Sequence, residues 1–191
     1  DISNSTNFGS PKTNHQKALE FAALIVTLTQ RTQDNCGLLL FSDKVIEYIR
    51  PSTKRTQFKR IVSALLNIKD HARSTNLNEA IQHISTNQKR SSVVFLISDF
   101  ICDEFSDSLK SLIGVQLVTD SNVPTAGLVE FEDAEGHGTL IVDTSSPKVR
   151  EALIAESLSR RELLNKTFKE SRADLIEIRE SVIGPLVGLM R

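Results

Sequence analysis

Between Asn14 and Gln33 the apolar residues Ala18, Phe21, Ala22, Ile25 and Leu28 recur at helical spacing, which predicts an amphipathic helix with one buried face. A polar loop with Gly9 and Pro11 precedes it. Two short apolar runs follow, Cys36 to Phe41 and Val45 to Ile49. They are split by Ser42-Asp43 and closed by Pro51, and read as two strands joined by a tight hairpin. Phe58, Ile61, Val62, Leu65 and Leu66 restore the helical period, and a further helix is expected from Leu77 to about Gln88. Ser91 to Ile97 gives the clearest buried strand, with Val93 to Ile97 apolar without a break. Beyond it the pattern predicts a short helix around Ser108 to Ile113, a strand at Val115 to Thr119, and a hairpin pairing Leu128–Glu132 with Thr139–Asp143 across Gly136 and Gly138. A long charged helix from about Pro147 to Ser171, a strand at Asp174 to Arg179 and a closing helix after Ser181 complete the series.

A continuous apolar strand flanked by helical patterns belongs in the middle of a parallel sheet covered on both faces. The expected fold is therefore α/β: a doubly wound, mostly parallel sheet flanked by helices. With no internal repeat, low-complexity stretch or linker, residues 1–191 read as one domain. What stands before the first helix reads like a loop after a strand, and no Met opens the chain, so a truncated N-terminus with its first, central strand missing is expected. Such a chain would carry a gap in its sheet and would not be an independent folding unit.

Composition narrows the function classes. A formal net charge of −1, with basic residues spread along the chain, offers no footprint for nucleic acid or an anionic membrane. No apolar run is long enough to span a bilayer, and no signal pattern opens the sequence. Cys36 and Cys102 fit reduced thiols, and the expected compartment is the cytoplasm.

In open α/β sheets the loops after the carboxyl ends of the strands line one edge, where such folds place their sites. Three segments qualify: Asp1-Ile2-Ser3-Asn4-Ser5, Ser74-Thr75-Asn76 and Ser98-Asp99. They offer carboxylates and hydroxyls with no His or Cys, a hard-cation set suited to Mg²⁺ or Mn²⁺ and unsuited to Zn²⁺. The candidate ligands are Asp1, Ser3, Ser5, Thr75 and Asp99. An α-amino group at Asp1, charged below a pKa of about 8, would sit beside the cation and repel it.

The pattern Asp1-x-Ser3-x-Ser5, then Thr75, then Asp99 after an apolar strand, resembles the metal-ion-dependent adhesion site of von Willebrand factor A domains. The resemblance implies that the serines and the threonine coordinate the metal directly and the aspartates act largely through waters. Longer stretches resemble one bacterial branch, the domain-of-unknown-function family numbered fifty-eight: Asn7-Phe8-Gly9-Ser10 with Lys12 and Lys17-Ala18, Gly37 to Asp43, Thr75 to Ala80, Leu96 to Phe100 and Gly127 to Gly136. Genes of that branch typically sit beside a MoxR-type AAA+ ATPase, which implies a partner of that kind in maturing or remodelling a protein complex. The segment from Asp103 to Asp120 is shorter than the family pattern.

Each candidate has a plainer reading. Serines and threonines are common turn and cap residues, and Thr75, four residues before Glu79, could simply open its helix. Asp43 reads as a hairpin residue, Asp103, Glu104 and Asp107 as a solvated loop, and Arg160-Arg161 with Glu156 and Glu162 as the wet face of the long helix. His15, His71, His83 and His137 lack the spacing of a zinc site or catalytic dyad. The function expected is a non-enzymatic binding module whose metal accepts a carboxylate from a protein partner. Without a Gly-x-x-x-x-Gly-Lys-[Ser/Thr] loop, ATP hydrolysis would belong to the partner. A haloacid dehalogenase-type phosphohydrolase also starts from a strand-end Asp, but it needs a second Asp where Ser3 stands. An extracellular adhesion domain would share the metal site.

Overall fold

The computed structural model describes residues 1–3, 13–68, 74–88, 91–101, 112–118, 125, 127–132, 139–179 and 181–189. Helix α1 (Asn14–Thr32) starts at a capping box, in which Thr13 and Gln16 each accept from the other's backbone N–H. It ends at Gln33, whose left-handed backbone (φ 60°) closes the last turn with an N–H bond to the Thr29 carbonyl. Strands β1 (Cys36–Phe41) and β2 (Val45–Ser52) form the expected antiparallel hairpin around Ser42, Asp43 and Lys44.

Helices α2 (Arg55–Leu66) and α3 (Leu77–Asn87) follow, and then β3 (Val94–Ser98) and β4 (Leu112–Leu117). A second hairpin, β5 (Leu128–Glu132) with β6 (Thr139–Asp143), leads into α4 (Pro147–Glu170), β7 (Asp174–Ile178) and α5 (Ile183–Leu189). The fold class is the one expected: a parallel sheet in the order β3-β4-β7, flanked by helices.

The packing explains the sheet's two faces. On one side Leu96, Leu112 and the partly buried Leu175 meet Phe168 and Leu164 of α4 and Leu77 and Ile81 of α3. On the other, Val115, Leu117 and Ile178 pack on Phe21 of α1 and Leu186 of α5. Gly114 of β4 is required by the first contact. A Cβ there would run into the Phe168 ring, so the bare backbone is what lets α4 lie this close.

Three local expectations are corrected. Leu112 and Ile113 belong to β4 and not to a helix, because they pair in parallel with Val94 and Phe95 and with Asp174 on the far side; residues 108–111 lie outside those described. Pro51 does not end β2, which runs on to Ser52. The proline is tolerated because β2 is an edge strand and the register shifts between Cys36 and Leu38. Arg161 is not simply on the wet face of α4: it makes a two-pronged ion pair with Glu177 of β7, while Arg160 and Glu156 form the exposed pair.

Strands β1 and β3 do not pair with each other. Between them lie the first residues of the chain, where the Ile2 N–H donates to the Phe41 carbonyl (2.9 Å) and the Asp1 amino group to the Ile97 carbonyl (3.1 Å). Ile2 is buried in the cluster that joins Leu40 and Ile49 to Val26 of α1 and Ile61 of α2. The opening residues thus bridge the carboxyl ends of β1 and β3.

Candidate functional site

Those bridging bonds fix where Asp1 can be. Its Oδ1 accepts from the Ser3 N–H (2.9 Å), a turn that folds the opening residues back on the carboxylate, and its Oδ2 accepts from the Ser98 hydroxyl (2.5 Å). Ser98 is the last residue of β3 and is fully buried, and its Oγ also accepts from the Phe100 N–H (3.1 Å). The result is a relay from a backbone amide through a hydroxyl to a carboxylate, which holds Asp1 in one orientation. Asp99 follows at once; its Oδ1 accepts from the Ile101 N–H (3.1 Å), and Asp99 is buried.

Phe100 has φ 56°, a conformation an aromatic residue rarely adopts. Its buried ring meets Phe168 edge to face, with centroids 5.5 Å apart, and this packing holds the strained turn after β3.

The Thr75 loop joins the same edge through Ser42, the residue after β1. The Ser42 carbonyl accepts from the Asn76 N–H (2.8 Å), and the neighbouring Phe41 carbonyl is the one that receives Ile2. The plainer reading of Thr75 is also tested: the N-cap of α3 is Asn76, whose Oδ1 accepts from the Glu79 N–H (3.1 Å). Thr75 is half-buried and does not cap the helix. Asp43 is a hairpin residue as expected, accepting from the Ser42 hydroxyl (2.9 Å).

The structure therefore brings Asp1, Ser3, Thr75 and Asp99 to one edge of the fold, while Ser5 lies outside the described residues. Ser3 is fully buried. Outside the described residues too are Asp103, Glu104, Asp107, Cys102, His71 and His137. Cys36 is a free thiol, and His83 packs edge to face on Tyr48, 4.9 Å between centroids.

Two groups at this edge were not in the sequence-derived ligand set. Ser98 fixes Asp1, and its one signal was its place before Asp99 at a strand end. Lys17 is buried, with its Nζ donating to the Val118 carbonyl just beyond β4 (2.8 Å) and to Asn14 Oδ1 (3.3 Å).

The candidate donors are all oxygen, two of them on carboxylates, with Ser3 and Asp99 buried and Asp1 and Thr75 half-buried; such a set fits a hard divalent cation. Among the described residues no group of three or more His, Cys, Asp or Glu gathers. In a chain that starts at Asp1, burial lowers the pKa of its amino group from 8.0 to about 5, with nearby Asp99 pulling the other way.

Comparisons with known proteins agree with this architecture. A family model described as "Protein of unknown function DUF58" matches residues 1–163. No curated protein matches the sequence. Among solved structures the chain is similar to the conserved hypothetical protein BatB from Bacteroides thetaiotaomicron, at 14% identity and a TM-score of 0.63, covering 100% of this chain and 92% of that one. It is also similar to an aerotolerance-related membrane protein from Bacteroides fragilis NCTC 9343, crystallised with multiple mutations to serines, at 17% identity and a TM-score of 0.61, covering 98% and 92%. Among the described residues no helix is long and apolar enough to cross a membrane.

Proposed function

From the premise that the chain belongs to the family described as "Protein of unknown function DUF58", we propose that it is a metal-dependent protein-binding module of von Willebrand factor A type. The observation that supports this most is the largely buried edge of oxygen donors where Asp1, tied to Ser98, lies beside Ser3 and Asp99 with the Thr75 loop anchored next to it. Ser3, Ser5 and Thr75 would hold Mg²⁺ or Mn²⁺ directly, with Asp1 and Asp99 behind them.

When bound, the metal supplies a positive centre for a carboxylate offered by a partner protein. The protein's own part is orientation. The Ser98 hydroxyl and the Ser3 amide hold the Asp1 carboxylate, the Ile101 amide holds Asp99, and Phe100 packed on Phe168 keeps the turn between them fixed. The partner in this reading is a MoxR-type AAA+ ATPase or its client, and the role is the assembly or maturation of a protein complex.

The test is calorimetry with Mg²⁺ and Mn²⁺ on the full-length protein, beside a pull-down with the ATPase in Mg²⁺ and in EDTA. We expect Asp99→Ala to weaken metal binding by roughly 10- to 100-fold, the usual cost of removing a group that supports the ligands. The pull-down should fail in EDTA. Equal metal affinity in wild type and Asp99→Ala would sink the reading. Metal-independent association together with Asp1-dependent turnover of a phosphate ester would replace it with the hydrolase.

A further inference from the structure

At the opposite end of β1 from the Asp1 edge lies an open cleft of about 740 Å³ between the end of α1 and the start of α2. The separation is the length of the strand from Cys36 to Phe41, about 17 Å. The floor of the cleft is apolar: Val26 is buried, and Phe58 and Cys36 are half-buried. Its rim is cationic. Lys54, Arg55 and Lys59 line it, all exposed, and none of them makes an ion pair among the described residues. The one acid on the lining is Asp34, whose Oδ2 already accepts from the Thr32 hydroxyl (2.5 Å).

Three cations in a six-residue stretch repel one another, and among the described residues no ion pair offsets them. The frame that carries them is rigid. Gln57, buried in the first turn of α2, donates from Nε2 to both the Cys36 and the Arg50 carbonyls (2.8 Å each), so the helix start is bolted to β1 and β2. No side chain caps the first turn of α2, and it holds no acidic residue, so nothing there offsets the positive field of the rim.

We propose that this cleft is a second docking site, independent of the metal edge, for an acidic segment of a partner protein that places an apolar side chain on the Val26, Phe58 and Cys36 floor. Charge complementarity selects the acidic segment, and the apolar floor selects a peptide over a small anion. With sites at both ends of β1, the module would bridge two segments or two partners.

The test uses a fluorescein-labelled peptide of alternating Glu and Leu, followed by fluorescence anisotropy on the full-length protein at low and at high salt. Binding is expected to weaken with salt, and to weaken more than about tenfold in the triple variant Lys54→Glu, Arg55→Glu, Lys59→Glu, since like charges then face each other. A control triple on α4, Lys148→Glu, Lys166→Glu, Lys169→Glu, changes net charge equally and should bind as wild type does. Replacing the peptide's Leu residues by Ser should cost about tenfold or more, because one buried Leu contributes that much. Asp99→Ala should bind the peptide normally, which separates this site from the metal reading.

Several outcomes would overturn the proposal: equal weakening by both triples, displacement of the peptide by inorganic phosphate alone, or loss of binding in Asp99→Ala. The substituted lysines and arginine are exposed, and an unchanged thermal melt of each triple confirms that the fold is intact.

Discussion

Helix α4 is one continuous helix of 24 residues with apolar positions at both ends, but the ends meet different surroundings. Toward its C-terminus Leu164 and Phe168 are buried against β4 and β7, and Gly114 leaves room for the Phe168 ring. Toward its N-terminus Ile154 and Leu158 stay exposed, as do Leu128 and Ile141 of the adjoining β5–β6 hairpin. Arg150 secures that junction by donating to the Thr144 and Ser145 carbonyls. The lesson is that hydrophobicity along a helix measures what could be covered, and the sheet beneath decides what is. The free energy of the fold should therefore concentrate in the parallel sheet and the end of α4 that covers it, with the β5–β6 hairpin and the exposed end of α4 contributing little.

The largest test of that contrast is a pair of truncations. Phe168→Ala should destabilise the protein by roughly 3–5 kcal/mol, since it removes a buried aromatic and leaves a cavity. Leu158→Ala, at an exposed site on the same helix, should stay within about 0.5 kcal/mol. Urea denaturation midpoints read both, and similar values for the two would break the comparison.

Next comes pH, for a chain that begins at Asp1 and so carries a buried amino group there. In a chain that starts at Asp1, the unfolded amino group takes a proton below about pH 8 and the folded one only below about 5. Between those values the unfolded state binds more protons, so stability rises with pH. This contribution is complete above pH 8 and is lost as pH falls toward 5. A shift of that size corresponds to at most about 4 kcal/mol. Acetylating the amino group should abolish this part of the pH profile in a series of thermal melts; a profile that acetylation leaves unchanged would remove the amine as its cause.

A smaller effect sharpens the account of the close approach. Gly114→Ala must push Phe168 aside and should cost about 1–3 kcal/mol. Combined with Phe168→Ala it should cost clearly less than the sum of the two single changes, since the clash disappears with the ring. Strict additivity in that double-mutant cycle would mean that the glycine serves something other than the helix contact.

Much of this was readable in the sequence because it is local. The periodicity of Ala18, Phe21, Ala22, Ile25 and Leu28 sets one face of α1, and the unbroken run ending at Ile97 sets a strand covered on both sides. The chemistry of the candidate edge was legible too, since Asp1, Ser3, Thr75 and Asp99 are oxygen donors at the ends of such runs. Where local rules failed, a distant partner had overruled them. Leu112 and Ile113 are extended because β3 and β7 offer backbone bonds on both sides, and Pro51 stays in β2 because its outer edge needs no partner.

What the amino-acid order determined by itself, then, is which segments are helix or strand, which of their faces seek burial, and that the strand-end loops carry hard oxygen donors. Only the tertiary structure decided that Ile2 bonds to Phe41 and the Asp1 amine to Ile97, that Ser98 holds the Asp1 carboxylate, that Arg161 reaches Glu177, and that one end of α4 is covered while the other is not. The physical reason is separation along the chain. Periodicity and capping act within a few residues, whereas Asp1 and Ser98 meet across 97 positions, and such a contact forms only when the packing of the whole sheet brings both groups out of water together.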